Sequence, residues 1–599
     1  MAATMVQRGP DGGGTWSDDA AGLAFRRLAI IDLHERSGQP MHLGPLHLVF
    51  NGEIYNYREL RERLRSAGHQ FVTAGDGEVL LHAWAEWGEA ALEAFNGMFA
   101  FAVWDETTRE LTVASDPFGE KPVYYSIAQD GRLVFASRLQ AILLDEGVDG
   151  GEDEETLAAY VTHGVMPPPA RTFFRRISRL PAAHLLRWRD GAVDVRRYWH
   201  PAPVAVPTDY AAAVRELRAM LADSVRLRLR SDVPVGTSLS GGVDSSAIVM
   251  LAAALAGEHR RHAFTARFRD HALDEWPYAE QVARAARVEH HHSVEPGPED
   301  VARDVHALVA DHEEPLGTLS VYAQWRINQA ARSTGIVVLL DGQGGDELFG
   351  GYGVAPGMAL RSMDGGGLAR DLARRAPAGV RALADSLARD HLPTPLRLAI
   401  HRRRASPYAA GDLAARPALG ERPAVEAWAR DGTPLHRELL AEAFFTTLPA
   451  LLRYADRSSM AHSVEVRLPL LDRRIAEFAF SLPASFLYRQ GLRKAILRDA
   501  VRDVVPADIL RRRDKIGFDP PQARWLADPA VQSLMGEVLL DARARRRGVY
   551  DTGAIEADLG RGEWRDPVAI WRAFNAELWF GALVDGRPRA HATAPRMPA

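Results

Sequence analysis

Residues 233–246 read VPVGTSL followed by SGGVDSS, and 247–256 continue as the apolar stretch AIVMLAAALA. A short strand-like run thus breaks at a Gly/Ser loop and gives way to a helix. A second such unit ends at 336–340, IVVLL, and turns at 341–347, DGQGGDE. Strands alternating with helices predict a parallel sheet of the α/β class, with ligands at the carboxyl ends of its strands.

The chemistry of the first loop follows from its composition. Unpaired backbone amides at a helix start favour an anion, and Gly241 and Gly242 let the chain approach a phosphate closely. The loop is not a Walker A loop, since GxxxxGK[ST] is missing and no lysine lies nearby. Asp244 inside this cradle would repel phosphate unless a divalent cation bridged the two, so the loop implies Mg²⁺. The ordinary alternative is a Ser/Gly turn with Asp244 near a helix cap. The second loop, 341–352, carries three acidic groups among five glycines and offers Asp346 as a second Mg²⁺ ligand opposite Asp244. Helix capping explains its acids but not its glycines.

Outward from these loops, 599 residues are too many for one ordinary core. The first third reads as an α+β sandwich. An apolar run at 46–50 ends at Asn51-Gly52, a turn signal. A charged helix follows over 56–65 with Asn56 as its N-cap, then helical spacing over 78–95. Runs at 98–104 and 111–114 flank a hairpin turn. Residues 197–210, with three prolines and little periodicity, read as a linker. The expected organisation is an amino-terminal domain over 1–197, a linker over 198–210, a second domain over 211–583 and a disordered tail over 584–599. Within the second domain, 353–452 reads as Ala/Arg-rich and helical apart from two looser stretches.

Composition excludes several classes. The net charge of −5 gives no bulk basic surface for nucleic acid or anionic lipid. No stretch approaches the roughly 18 to 20 uncharged apolar residues of a membrane span. The amino terminus does not read as a secretion signal, so a cytoplasmic location is the default. Cysteine is absent, which removes disulfides, thiolate metal sites and cysteine nucleophiles. Lysine survives only at Lys121, Lys494 and Lys515, while arginine supplies the other basic residues. Each retained lysine marks either a site for a compact cation or a chance survival.

SGGVDSS resembles the pyrophosphate loop of the N-type ATP pyrophosphatases. The ordered set AFTARF (263–268), LDGQGGDELFGGY (340–352), LRYADRSSMAHSVEVRLPLLD (452–472), GLRKAILRDA (491–500) and RRDKIGFDPP (512–521) resembles the synthetase domain of asparagine synthetase. That resemblance implies an adenine nucleotide α-hydrolase-like sheet with added helices. It implies adenylation of the aspartate β-carboxylate, then attack of ammonia on the acyl-adenylate. Leu239, Ser240, Gly241, Gly242, Asp244, Ser245, Ser246, Ala266, Asp341 and Gly342 fall where the family holds ATP. Ala266 stands where a larger aliphatic residue is usual. Lys494 is implied to stabilise charge on the reacting phosphate. Gln343 occupies a position tied to intermediate formation and often acidic in the family; an amide cannot take a proton as a carboxylate can. Asp456, Arg457, Glu465 and Arg467 are candidates for the acceptor pocket, with a structural ion-pair network as the alternative.

RGPDG (8–12), FRRLAIIDL (25–33), NGEIYNYREL (51–60), GDGE (75–78), NGMFAFAVWD (96–105) and DPFGEKPVYY (116–125) resemble the class II glutamine amidotransferase domain, an αββα sandwich of the Ntn-hydrolase kind. The resemblance implies an oxyanion hole at Asn51 and Gly52, and glutamine held by Arg27, Glu53 and Asp76. The family's amino-terminal cysteine and its strand have no counterpart here, and a truncated or misplaced start is the expectation. The leading function is therefore asparagine synthesis from aspartate and ATP, with nitrogen from glutamine in the family and from ammonia in this chain. A natural-product amide ligase on the same scaffold and a non-catalytic regulatory relative are the alternatives. The resemblance also allows a homodimer.

Overall fold

The computed structural model describes residues 1–255, 261–269, 271–272, 274–363, 383–384, 405–414, 432–513 and 519–585. Its amino-terminal part is built around a six-stranded antiparallel sheet in the order β11-β10-β6-β5-β4-β3. These strands are Ala192–Arg197, His184–Arg189, Glu110–Ser115, Gly97–Asp105, Leu46–Ile54 and Met41–Leu43. The central strand β5, GMFAFAVWD, is buried on both faces, which explains its near-continuous apolar run. Its alternate side chains feed different cores. Phe99, Phe101 and Val103 meet Leu60, Leu64 and Leu80 of the helices Tyr57–Ser66 and Asp76–Trp87. Ala100, Ala102 and Trp104 face Leu23, Val123 and Tyr125 of the opposite layer. Each large apolar side chain so buried stabilises the fold by about 1.5–3 kcal/mol.

That opposite layer is in two pieces. One is the hairpin of β1 (Gly12–Ser17) and β2 (Gly22–Arg27). The other is a three-stranded sheet, β8-β7-β9, of Leu133–Ala136, Tyr124–Ile127 and Ser178–Arg179. The expected α+β sandwich is thus present, with two departures in detail. Asn51-Gly52 is not a turn: both residues lie inside β4, opposite Ala100 and Phe99 of β5. Gly52 takes φ +136°, and a Cβ there would sit 2.0 Å from the Met98 carbonyl oxygen, so the strand needs glycine to pass. Asn56 precedes its helix as expected but does not cap it. Its amide donates to the Ala94 carbonyl at 2.9 Å, and its Oδ1 accepts the Asn96 amide at 3.0 Å.

The second part holds a five-stranded parallel sheet, β14-β13-β12-β15-β16. The strands are His290–Val294, His262–Ala266, Val235–Ser238, Val338–Leu340 and Glu465–Arg467. From β12 the chain winds first to one side and later to the other, so β12 and β15 flank the switch point where such sheets bind ligands. Register pairs Thr237 with Leu340, which sets the loops after β12 and β15 side by side.

Residues 198–209 carry no regular secondary structure, yet they are anchored. Trp199 is buried, donates to Glu477 at 2.9 Å and packs on Phe118 and Phe444. Buried ion pairs join the two parts as well, including Arg138–Glu313 at 2.8 Å and Arg179–Glu314 at 3.0 Å. Within 353–452 the helices Ala355–Arg361, Gly411–Ala414 and Pro434–Ala441 are described, and most of the rest lies outside the described residues. So do residues 586–599 of the expected tail. Among the described residues no helix is long and apolar enough to cross a membrane.

Candidate active site

Two cavities gather most of the residues singled out above. The first, of about 440 Å³, opens between the loops after β12 and β15. Ser240 and Gly242 line it from one loop, with Asp244 and Ser245 from the first turn of the helix Val243–Leu255 that follows; Asp341, Gly342 and Gln343 line it from the other loop, with Asp346 from the helix Gly345–Phe349. Leu239, Gly241, Ser246 and Ala266 do not line it. Leu239 and Ala266 are buried in the sheet behind the loop, where the Leu239 carbonyl accepts from Thr265 at 2.6 Å. The Ser245 hydroxyl lies 3.0 Å from that of Ser240 and closes the loop on itself.

Lys494 reaches into this cavity from the far side of the sequence. Its ammonium stands 2.5 Å from Asp244 Oδ2 and 2.6 Å from Asp346 Oδ1. Burial alone would lower its pKa, but the two carboxylates raise it, so the group is a fixed cation. Asp341 is pushed up to about 6, first by burial and further by Asp244. The amides of Gly342 and Gln343 and the Ser238 hydroxyl oppose that shift. The Gln343 side-chain oxygen is buried and accepts no hydrogen bond, so the cavity holds an unused acceptor at that position.

Whether the donor set suits a divalent cation can be tested on this geometry. Two carboxylates converge on one point, and a point charge, the Lys494 ammonium, already stands between them. A Cβ on Gly345 would lie 2.5 Å from Asp244 Oδ1, so glycine there keeps the carboxylate's space open. Two converging carboxylates are hard oxygen donors of the kind Mg²⁺ takes, and a cation already stands where they meet. No group of three or more metal-ligating side chains occurs among the described residues, so further ligands would be phosphate oxygens and water.

The second cavity, of about 460 Å³, lies in the amino-terminal part and is lined by Arg27, Asn51, Gly52, Glu53 and Asp76. All five expected glutamine-pocket residues are therefore brought together. The Asn51 amide nitrogen is buried without a hydrogen-bond partner, a donor left open at the expected oxyanion position. Arg27 donates to the His34 carbonyl at 2.7 Å and also to that of Asp32, which braces the loop beside the cavity. Asp76 accepts the Ile54 amide at 2.8 Å, and burial pushes its pKa up to about 6. Glu53 is raised well above the usual carboxylate range by burial and by the neighbouring Asp76 and Glu465, despite Arg467.

Of the four acceptor candidates none lines the phosphate-loop cavity and Glu465 lines the amino-terminal one, while all four take part in buried ion pairs, the alternative weighed for them. Asp456 takes a two-pronged bond from Arg8 at 2.7 and 2.9 Å, with Lys121 at 3.9 Å. Burial opposes ionisation of Asp456, but Arg8 and Lys121 hold its pKa below the usual range. Arg457 pairs with Glu313 at 2.9 Å, and Arg467 with Glu465 at 2.7 Å. Charges removed from water need such partners, because an unpaired one costs several kcal/mol.

Some contributors escaped the sequence reading. Arg512 donates to the Gly241 carbonyl at 3.1 Å and to Glu275 at 3.2 Å, and stacks over Tyr278. It thereby props the phosphate loop from behind. Arg8 was likewise unassigned. Only the scarcity of lysine marks Lys121 in the sequence, and both described lysines are buried beside aspartates. Lys515 lies outside the described residues.

With this geometry in hand, comparison with known proteins decides the family. The asparagine synthase model matches residues 216–581, and the glutamine amidotransferase domain model matches residues 1–199. The chain belongs to the asparagine synthase family. Relatives span nearly its whole length. Asparagine synthetase (glutamine-hydrolyzing) 1 of Bacillus subtilis is 31% identical, covering 96% of this chain and 93% of its own. A putative asparagine synthetase (glutamine-hydrolyzing) of Mycobacterium tuberculosis is 35% identical, covering 99% and 95%. A more distant relative, amidase chry2 of Gibberella zeae, is 26% identical over 92% of this chain and 89% of its own. The family match places the phosphate-loop cavity in the synthase region and the Asn51 cavity in the amidotransferase region.

Proposed function

We propose that this member of the family makes asparagine from aspartate at the expense of ATP, which it cleaves to AMP and pyrophosphate. The observation that carries the reading is Lys494 held between Asp244 and Asp346 at the mouth of the phosphate loop. Three charged side chains from distant parts of the sequence meet there beside the start of the helix Val243–Leu255, where the helix dipole favours an anion. Relatives named asparagine synthetase span almost the whole chain, so the natural-product ligase alternative is not favoured.

The backbone of residues 240–246 would take the ATP phosphates, and Asp244 and Asp346 would hold Mg²⁺. Bound there, Mg²⁺ would neutralise pyrophosphate oxygens. An oxygen of the aspartate β-carboxylate attacks the α-phosphorus, and the bond to pyrophosphate breaks. Lys494, a compact cation, offsets charge on the phosphate as this happens. Ammonia then attacks the acyl carbon, the bond to AMP breaks, and the amide forms. Gln343 cannot accept the proton that ammonia loses, so that proton leaves to a phosphate oxygen.

In the amidotransferase region, Asn51 and Gly52 would hold an oxyanion while Arg27, Glu53 and Asp76 bind the amino-acid end of glutamine. A chain with no cysteine offers no thiol for that chemistry, so its nitrogen comes from free ammonia. We place the protein in the cytoplasm and leave a homodimer as its proposed assembly. The test is the product pair. With ATP, Mg²⁺ and aspartate, AMP and pyrophosphate should form together; ADP and phosphate instead would contradict the reading.

A further inference from the structure

The amidotransferase cavity is lined mainly by the amino-terminal part but also by Met460 and Glu465 of the second, and one residue between them reaches a lining residue of each cavity, one through its side chain and the other through its backbone. Arg467 is fully buried on β16, the edge strand of the parallel sheet. Its Nε donates to Glu465 at 2.7 Å, and its Nη1 donates to the carbonyls of Arg228 and Arg230 at 2.8 and 2.6 Å. The remaining prong, Nη2, stands 3.5 Å from Glu53 Oε1. Glu53 follows Gly52 directly and lines the amidotransferase cavity. In the other direction, the Arg467 carbonyl accepts the Asp341 amide at 3.0 Å. Asp341 opens the loop that carries Gln343 and Asp346 into the nucleotide cavity.

We propose that Arg467 is a positioning residue that couples the two cavities, so that an amino acid bound beside Glu53 tightens nucleotide binding beside Asp341. The inference rests on the assignment of those cavities given above. A guanidinium is a rigid fork, so a change at one prong shifts the whole group rather than one bond. Burial, with Asp76 and Glu465 close by, makes Glu53 favour its neutral form, which attracts Arg467 weakly. An α-ammonium group placed beside Glu53 would favour the carboxylate. The stronger Glu53–Arg467 pair then fixes β16, and with it the amide contact that sets the start of the Asp341 loop. Neither Glu53 nor Arg467 need move far, because β15 and β16 are hydrogen-bonded neighbours and Leu340 lies in register with Arg467. An arginine that merely clasped the two parts together would give stability without this linkage.

The experiment measures linkage on the full chain. A non-hydrolysable ATP analogue with Mg²⁺ is titrated by calorimetry with and without saturating glutamine, and glutamine is titrated with and without the analogue. Each ligand should raise the affinity for the other by the same factor, roughly fivefold or more. In Arg467→Lys both ligands should still bind, with the factor reduced to one. Since loss of one buried charge can prevent folding, the paired variant Arg467→Gln/Glu465→Gln, which removes opposite charges together, is measured beside it. It too should bind both ligands independently. Two binding ligands with no mutual effect in the wild type would overturn the coupling alone, as would an undiminished factor in a folded variant. Failure of either ligand to bind the wild type would overturn the cavity assignment, and the inference with it.

Discussion

The Lys494 ammonium lies 2.5 Å from Asp244 Oδ2, joining residues 250 positions apart in the sequence. That contact places the cation of the helix Ala495–Ala500 at the entrance of the phosphate loop. Lys494 also adopts the left-handed conformation, φ +54°, so its backbone is set for this direction rather than for helix continuation.

Lys494→Arg should therefore lose activity although the charge is kept. A planar fork is too large for a point between two carboxylates 2.5 and 2.6 Å away. The expected fall in kcat is roughly 10²-fold or more, the scale of losing one preorganised charge contact. Steady-state rates of pyrophosphate release report it; wild-type turnover would make Lys494 a surviving lysine and nothing more.

Asp244→Asn should abolish aspartate-dependent ATP–pyrophosphate exchange while the thermal midpoint stays within a few degrees of wild type. The substitution removes one oxygen ligand of the proposed Mg²⁺ site from a partly exposed side chain in the first turn of the helix Val243–Leu255. Chelation of Mg²⁺ in the wild type should have the same effect on exchange. Exchange that survives either treatment would dissolve the metal assignment.

Asp76 gives the amidotransferase cavity a pH signature. Its pKa is raised to about 6 by burial, so ionisation costs folding stability as pH rises through 6, and a bound ammonium group offsets that cost. Stabilisation by glutamine in a thermal-shift titration should accordingly be larger at pH 7.5 than at pH 5. Affinity should fall by up to roughly tenfold per pH unit below 6. Asp76→Asn should bind glutamine weakly and lose the pH step; an unchanged step would assign it to another group.

Arg8→Ala should destabilise the chain by about 3 kcal/mol, because it strands the buried Asp456 carboxylate. Urea unfolding measures this, and the paired Arg8→Ala/Asp456→Ala variant should recover part of the loss. A single variant as stable as the wild type would mean that Lys121 alone satisfies Asp456.

Sequence was most legible where local pattern and chemistry agreed. The Gly/Ser loop after β12 and the acidic glycine-rich loop after β15 announce a switch-point site, and register puts them together. Sequence was misleading where a local signal was overridden by tertiary context. Asn51-Gly52 carries the strongest short turn signal, yet the ladder with β5 runs straight through it because Gly52 can adopt φ +136°. The Asn56 side chain donates to the Ala94 carbonyl and accepts the Asn96 amide rather than capping its own helix. Long-range pairing was beyond reach altogether. Nothing in the sequence around Asp456 says that Arg8, 448 residues earlier, supplies its partner, and so the choice between acceptor pocket and ion-pair network could not be made from the motif alone.

The nitrogen source is the most direct test of the account. The purified chain is incubated with ATP, Mg²⁺ and aspartate at mildly alkaline pH, with either ammonium chloride or glutamine, and asparagine and glutamate are quantified. The synthase chemistry needs only free ammonia, and no side chain offers a thiol to hydrolyse glutamine. Asparagine should therefore form with ammonium, while glutamine should yield neither asparagine nor glutamate above background. Asparagine formed from glutamine at a comparable rate would contradict the account of the amidotransferase region. ATP cleavage without asparagine from either donor would contradict the proposed acceptor.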